Sequence, residues 1–178
     1  MANSTVIPSF SDSNTTGTCN TAVGYYALDG NQGGANNTAL GYEALKSITT
    51  DGHHNTAIGA DVLRAATSAR SNSGVGDGVM RTLTTGDQNC VMGHNAMYNA
   101  TTATQNTVIG AGAVGSNVAA GFNMTTGGDN TAVGHSSLYS NTTGTQNIAV
   151  GQYAGDVTTT GSNNIAIGEN FFEYFSNS

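Results

Sequence analysis

The chain has 178 residues and a formal net charge of −7, which comes from four Lys or Arg against eleven Asp or Glu. Gly, Thr and Asn fill 72 positions, whereas Leu, Ile, Val and Phe fill only 30, too few for the core of an ordinary globular enzyme. The acidic balance argues against nucleic acid as a partner, and no segment approaches the ~20 apolar residues that membrane insertion requires.

Residues 1–11 precede the patterned part of the chain. This segment has neither a basic start nor a long apolar run, so it does not resemble a secretory signal. We expect it to be an N-terminal attachment arm.

Residues 12–178 are predicted to form one repeat domain. The pentapeptide Asn-x-x-apolar-Gly recurs nine times, at spacings of 17, 18, 17, 17, 17, 24, 17 and 17 residues. Each unit, counted from its first Asn as position one, has a short strand candidate, an apolar pair at positions eight and nine, and a turn near position fifteen. This pattern predicts an all-β fold, a narrow parallel β-roll or β-helix solenoid of about nine 17-residue coils. The initial asparagines are Asn20, Asn37, Asn55, Asn72, Asn89, Asn106, Asn130, Asn147 and Asn164.

Stacking of the coils turns each position of the unit into a column. Position one is Asn in every unit, which predicts a ladder of hydrogen-bonded side chains. Position five is Gly in every unit, which indicates a positive φ or a backbone contact too close for a Cβ atom. Position four is apolar in every unit, from Val23 to Ile167, and is predicted to fill the core.

Position three alternates with position four along the strand and should therefore point outward. It is nevertheless small and apolar in every unit. Because small side chains allow two chains to approach closely, we expect a parallel homotrimer, with a dimer as the alternative. The predicted trimer contact consists of Ala22, Ala39, Ala57, Val91, Val108, Ala132, Ala149 and Ala166.

Cys19 and Cys90 lie four coils apart in this arrangement, which is too far for a disulfide. We expect both to be free thiols, with Cys90 in the core. Two cysteines are also too few for a zinc scaffold, and no metal or cofactor is expected.

Position ten should point outward, and it carries three of the four basic residues on consecutive coils. This column, with the tyrosines that continue it, is a candidate contact for an acidic glycan. The alternative is a solvated face on which acids such as Glu43 and Asp61 offset the bases. The candidate contact residues are Lys46, Arg64, Arg81, Tyr98 and Tyr139.

Two irregular segments are further candidates. The sixth unit carries an insertion, placed at residues 115–122, in which Ser116 and Asn117 are either ligand contacts or part of a neutral bulge. An aromatic segment at residues 171–175 is predicted to cap the last coil and to protect it from edge pairing. The four histidines are expected to be polar surface or turn residues, with a metal on a trimer axis as the alternative.

The segments Asn20-Thr21-Ala22-Val23-Gly24 and Asn55-Thr56-Ala57-Ile58-Gly59 resemble the head repeats of trimeric autotransporter adhesins. The longer unit, with its Ala-Leu and Thr-Thr-Gly elements, is still more similar to repeats of phage and virus tail fibres and related virion surface proteins. The resemblance covers residues 12 to 172. It implies a left-handed parallel β-roll, assembled as a trimer, that displays an adhesive or structural surface outside a cell or virion.

We therefore expect a non-enzymatic structural or attachment protein on a virion surface, in the capsid or the tail, such as a fibre, a spike or a capsid decoration protein. Its expected partners are its own copies, other virion proteins reached through the N-terminal arm or the C-terminal cap, and host-surface glycans. The alternatives are a bacterial trimeric adhesin head at the cell surface, an ice-binding solenoid, and a glycan-cleaving β-helix enzyme that uses scattered carboxylates such as Asp61, Asp77 and Asp87.

Overall fold

The computed structural model describes residues 5–7, 14–111 and 120–171. These residues form ten strands of three residues each, joined into one parallel sheet whose spatial order follows the sequence. The strands are β1 (Thr5–Ile7), β2 (Thr21–Val23), β3 (Thr38–Leu40), β4 (Thr56–Ile58), β5 (Ser73–Val75), β6 (Cys90–Met92), β7 (Thr107–Ile109), β8 (Thr131–Val133), β9 (Ile148–Val150) and β10 (Ile165–Ile167).

Each strand pairs in register with the same segment of the next unit. Between β2 and β3, for example, Thr21 lies opposite Thr38 and Ala22 lies opposite Ala39. From β2 to β10 the chain makes eight turns, and each turn returns it to the same sheet. The fold is therefore a parallel β-solenoid, as predicted. Within the described residues, no helix is long and apolar enough to cross a membrane.

The asparagines at position one connect neighbouring coils through buried hydrogen bonds. The Oδ1 atom of Asn72 accepts the backbone N–H of Asn89 at 3.0 Å and the Nδ2 group of Asn89 at 2.9 Å. Asn89 Nδ2 also donates to the carbonyl oxygen of Ala103 at 2.8 Å. The backbone-to-Oδ1 bond recurs at every step from Asn20 to Asn164. The ladder thus satisfies buried polar groups that would otherwise oppose folding.

Glycine at position five is required for two separate reasons. In eight of the nine units its φ lies between 125° and 143°, a region that side chains with a Cβ atom rarely adopt. A Cβ atom on Gly93 would also overlap the carbonyl oxygen of Gly110 in the next coil. Glycine at position five therefore lets the chain leave the strand with a positive φ in eight units, and it lets the next described coil stack closely in the units from Gly24 to Gly151.

The interior of the solenoid is narrow and is filled from four columns. Positions three, eight, nine and twelve supply its side chains, and most of them are fully buried. The volumes at positions three and eight compensate each other, since Gly74 lies against Val62 and Val79, whereas the larger Val91 shares its coil with Ala96. Such compensation keeps the cross-section constant from coil to coil, as close packing requires.

The structure reverses the predicted roles of positions three and four. The predicted trimer contact at position three lies inside the chain, where each of its side chains is at most 2% exposed, so it cannot touch a second copy. The reason is space, because position three faces the bulky column at position nine and only small residues fit. Those interior residues are Ala22, Ala39, Ala57, Val91, Val108, Ala132, Ala149 and Ala166.

The larger side chains at position four point outward instead. Together with position two, which lies on the same side of each strand, they form a surface that we call the outer sheet face, defined as positions two and four of strands β2 to β10. Cys90 belongs to this surface, so its predicted core location is also wrong, while both cysteines are free, as expected.

We predict that Gly93→Ala lowers the free energy of unfolding by at least about 3 kcal/mol, because a strained φ and a backbone overlap act together. Gly33→Ala is the matched control, since position fourteen has an ordinary φ and carries Thr or Ser in other coils. Urea denaturation followed by circular dichroism measures both variants. Equal stability of Gly93→Ala and the native chain would contradict this explanation of position five.

Candidate functional site

The predicted basic column is a network of ion pairs in which acids alternate with bases. Lys46 Nζ lies 2.6 Å from Glu43 Oε1, and Arg64 Nε donates to Glu43 Oε2. Arg64 Nε lies 3.4 Å from Asp61 Oδ1, and Arg81 Nε lies 3.2 Å from Asp61 Oδ2. All three bases are therefore paired with carboxylates, which weakens the case for an anion-binding stripe.

Glu43 is the most buried member of this network, with a side chain that is 7% exposed. The hydrogen bond from Lys46 is the main reason that its pKa is lowered from 4.5 to about 2, with burial opposing the shift and Arg64 adding to it. The folded chain therefore holds Glu43 as a carboxylate at pH values at which an unfolded chain would protonate it.

The tyrosines of the predicted contact lie in a stack of aromatic rings. Tyr98 packs against Phe122 at 5.5 Å between ring centroids, and Phe122 packs against Tyr139 at 5.8 Å, with interplanar angles of 12° and 16°. Arg81 Nη1 donates to the Tyr98 hydroxyl at 2.7 Å. Because Phe122 covers the facing sides of both tyrosine rings, those faces are closed to a sugar.

The predicted insertion includes Phe122, whereas the structure places its ring between Tyr98 and Tyr139. The backbone N–H of Met97 donates to the Ala120 carbonyl, and that of Gly121 donates to the Ser137 carbonyl, as equivalent residues do in other coils. Residues 120–122 thus belong to the regular coil, and the extra residues lie between Gly110 and Ala120. The sequence did contain a signal for this register. If the extra residues are placed before Ala120, Phe122 falls at position ten, where Tyr98 and Tyr139 also carry aromatic rings. Ser116 and Asn117 lie outside the described residues.

The structure describes the predicted N-terminal arm and the predicted C-terminal cap only in part. The N-terminal arm at residues 1–11 is described at β1 alone, which pairs with β2. Of the predicted cap at residues 171–175, the structure describes Phe171, which is 47% exposed and accepts the Gly155 N–H at its carbonyl oxygen.

Threonine and carboxylate side chains bear on two of the alternative functions. Threonines at position thirteen donate their hydroxyls to the next coil, as Thr84 does to the Thr101 carbonyl at 3.0 Å, whereas threonines at position two, such as Thr38, are exposed on the outer sheet face. The scattered carboxylates are also engaged, since Asp87 accepts the Arg70 N–H at 2.6 Å and Asp77 lies 3.8 Å from His94 Nε2. Within the described residues, no group of three or more His, Cys, Asp or Glu could hold a metal ion.

The outer sheet face is the most unusual surface of the described chain. It contains 18 side chains, none of them charged, on nine of the ten strands of the sheet. Parallel sheets are normally covered on both sides, and exposed apolar strips of this length are typical of interaction surfaces. Its most exposed apolar members are Leu40 at 46%, Met92 at 51%, Ile109 at 43%, Ile165 at 60% and Ile167 at 63%.

Comparisons of the chain with protein-family models, with curated proteins and with solved structures find no match.

We predict that Glu43→Gln lowers the melting temperature by about 2–6 °C at pH 7, because Lys46 and Arg64 lose their shared carboxylate. The native carboxylate has a lowered pKa, so its contribution is complete above about pH 4.5 and disappears as the pH falls toward about 2. Thermal unfolding of both proteins between pH 7 and pH 2 tests this. Glu169→Gln, at an exposed glutamate, is the control. A native-to-variant difference that is independent of pH would contradict the prediction.

Proposed function

We propose that this chain is a non-enzymatic virion surface protein, a fibre, spike or capsid decoration protein, built from three parallel copies of a left-handed β-solenoid. The observation that carries the proposal is the outer sheet face. An uncharged face that carries an apolar side chain at position four of nine successive strands is costly to leave in water, and a role in assembly accounts for it.

A second copy of the same chain is the occupant that best fits this strip. Its side chains repeat at the strand spacing of about 4.8 Å, and another copy carries the same repeat and the same apolar chemistry. Contact between identical faces also leaves no charge unpaired, because neither face carries one. Homo-oligomerisation through the outer sheet face replaces the earlier prediction at position three.

The parallel orientation is supported by a gradient along the face. Position two is Thr in β2, β3 and β4, whereas it is Ile148 in β9 and Ile165 in β10. Parallel packing places isoleucine against isoleucine and threonine against threonine. Antiparallel packing would bury threonine hydroxyls against the isoleucines, which costs free energy for each unpaired hydroxyl. The number of copies, three, rests on the resemblance to trimeric surface repeats.

On the virion, the trimer would present its ion-pair network and aromatic stack to the outside, and it would contact other virion proteins through the N-terminal arm or the C-terminal cap. Host glycans stay a possible ligand, but the paired state of Lys46, Arg64 and Arg81 gives that role little support. A structural or shell-reinforcing role is therefore the function that the geometry favours.

We predict that the native chain in solution has three times the mass of one copy, measured by native mass spectrometry. Met92→Asp with Ile109→Asp should yield monomers with unchanged circular dichroism, because each Asp would bury a charge at the centre of the contact. Val157→Asp is the matched control, since Val157 is 43% exposed but lies outside the outer sheet face. A monomeric native chain at micromolar concentration would overturn the proposal.

The orientation is tested by thiol cross-linking after Cys19 and Cys90 have been replaced by Ser. Thr38→Cys in β3 and Ile148→Cys in β9 should each cross-link to copies of themselves if the chains are parallel. Cross-links that form only when the two variants are mixed would indicate antiparallel chains. Immunogold labelling of purified particles tests the location, and absence from both capsid and tail would contradict the virion role.

A further inference from the structure

One corner of the solenoid depends on a histidine in its neutral form. The backbone N–H of Ala35 donates to Nδ1 of His53 in the next coil, at 3.0 Å. An amide N–H can only donate, so Nδ1 must carry a free lone pair. Protonation of His53 places a hydrogen on Nδ1 and removes this acceptor, because both nitrogens of an imidazolium are donors.

The neighbouring imidazole, His54, lies at the same corner. The side-chain amide of Asn36 lies 3.3 Å from His54 Nε2, a contact that either protonation state can make because the amide can present its nitrogen or its oxygen. The two imidazole rings are 6.2 Å apart between centroids. Protonation of His53 would therefore break the Ala35 contact between the first and second units, and protonation of both rings would place two positive charges side by side.

The charged groups around this pair add to the effect. The backbone of Arg70 forms a β-bridge with that of His53, and Arg70 Nε donates to the backbone carbonyl oxygen of Asp51 at 3.0 Å. The carboxylate of Asp87, one coil further on, accepts the Arg70 backbone N–H. Protonation of the two imidazoles would therefore add positive charge to a corner that already holds Arg70.

Equivalent corners elsewhere use an oxygen atom as the acceptor. The Arg70 N–H bonds to the Asp87 carboxylate and the Thr145 N–H bonds to Ser162 Oγ at 3.0 Å. His94 and His135 have other neighbours, since His94 faces Asp77 and His135 Nδ1 lies beside the Ser136 hydroxyl. Within the described residues, His53 is the histidine that accepts a backbone N–H of the neighbouring coil.

We propose that His53 forms a pH-sensitive joint, which holds the first and second units together at neutral pH and loosens at their shared corner under acid. Histidine is the side chain whose ordinary pKa lies in the physiological range. The amide ladder at position one does not titrate, so the solenoid stays stacked while this corner opens. This inference rests on the monomer fold and is independent of the proposed virion role.

The Ala35 amide reports directly on the joint. In the full-length ¹⁵N-labelled protein, its hydrogen-exchange protection factor should fall about tenfold between pH 7.5 and pH 5.0, as expected for one lost hydrogen bond. The Thr145 amide, held by Ser162, should keep its protection factor over the same range. Protection factors, rather than raw rates, remove the intrinsic pH dependence of exchange.

Two substitutions of His53 distinguish the lost acceptor from a general effect of acid. His53→Ser retains an acceptor, as Ser162 does, and should give an Ala35 protection factor that does not depend on pH. His53→Ala has no acceptor and should give low protection at both pH values. Constant protection in the native chain, or a pH response that persists in His53→Ser, would overturn the proposal.

Discussion

Coil-to-coil stacking is the constraint on which the rest of this structure depends. Each coil satisfies its backbone through the next one, and the asparagine at position one adds a buried side-chain bond at every step. The stack tolerates no Cβ atom at position five, where successive backbones approach closely. Regular strand spacing then allows other columns of like side chains to form.

A narrow cross-section follows from this close stacking, and it explains the low apolar content. The interior side chains come mainly from positions three, eight, nine and twelve, and most of these residues are Ala, Val, Leu or Met. A thin core with few large residues is sufficient because each coil is also held by two neighbours. The apolar residues that do not fit inside remain on the sheet, and they create the outer sheet face.

The same stacking determines which charged and hydrogen-bonding side chains become neighbours. Residues of like position lie next to one another, so a column of bases needs acids between its members, as Glu43 and Asp61 provide. At the His53 corner, the acceptor from the next coil is an imidazole rather than a hydroxyl or a carboxylate. A repetitive fold can therefore carry local differences in hydrogen-bond chemistry without changing its overall architecture.

The sequence alone determined the solenoid, because the asparagine and the glycine are local requirements that recur in all nine units, at a spacing of 17 residues in six of the eight steps. It did not determine which side of each three-residue strand faces inward, since Ala22 and Val23 are both apolar and alternation has two possible phases. The side-chain volumes at positions three and eight compensate each other, as at Gly74 and Val79, and this indicates that position three faces inward. The pattern can be interpreted only when the two columns are known to be in contact. The insertion was misplaced for a similar reason, because hydrogen bonds of Ala120 and Gly121 define the register while the local sequence does not. Tertiary packing decided the phase, since the interior has room for small side chains at position three and excludes the larger ones at position four.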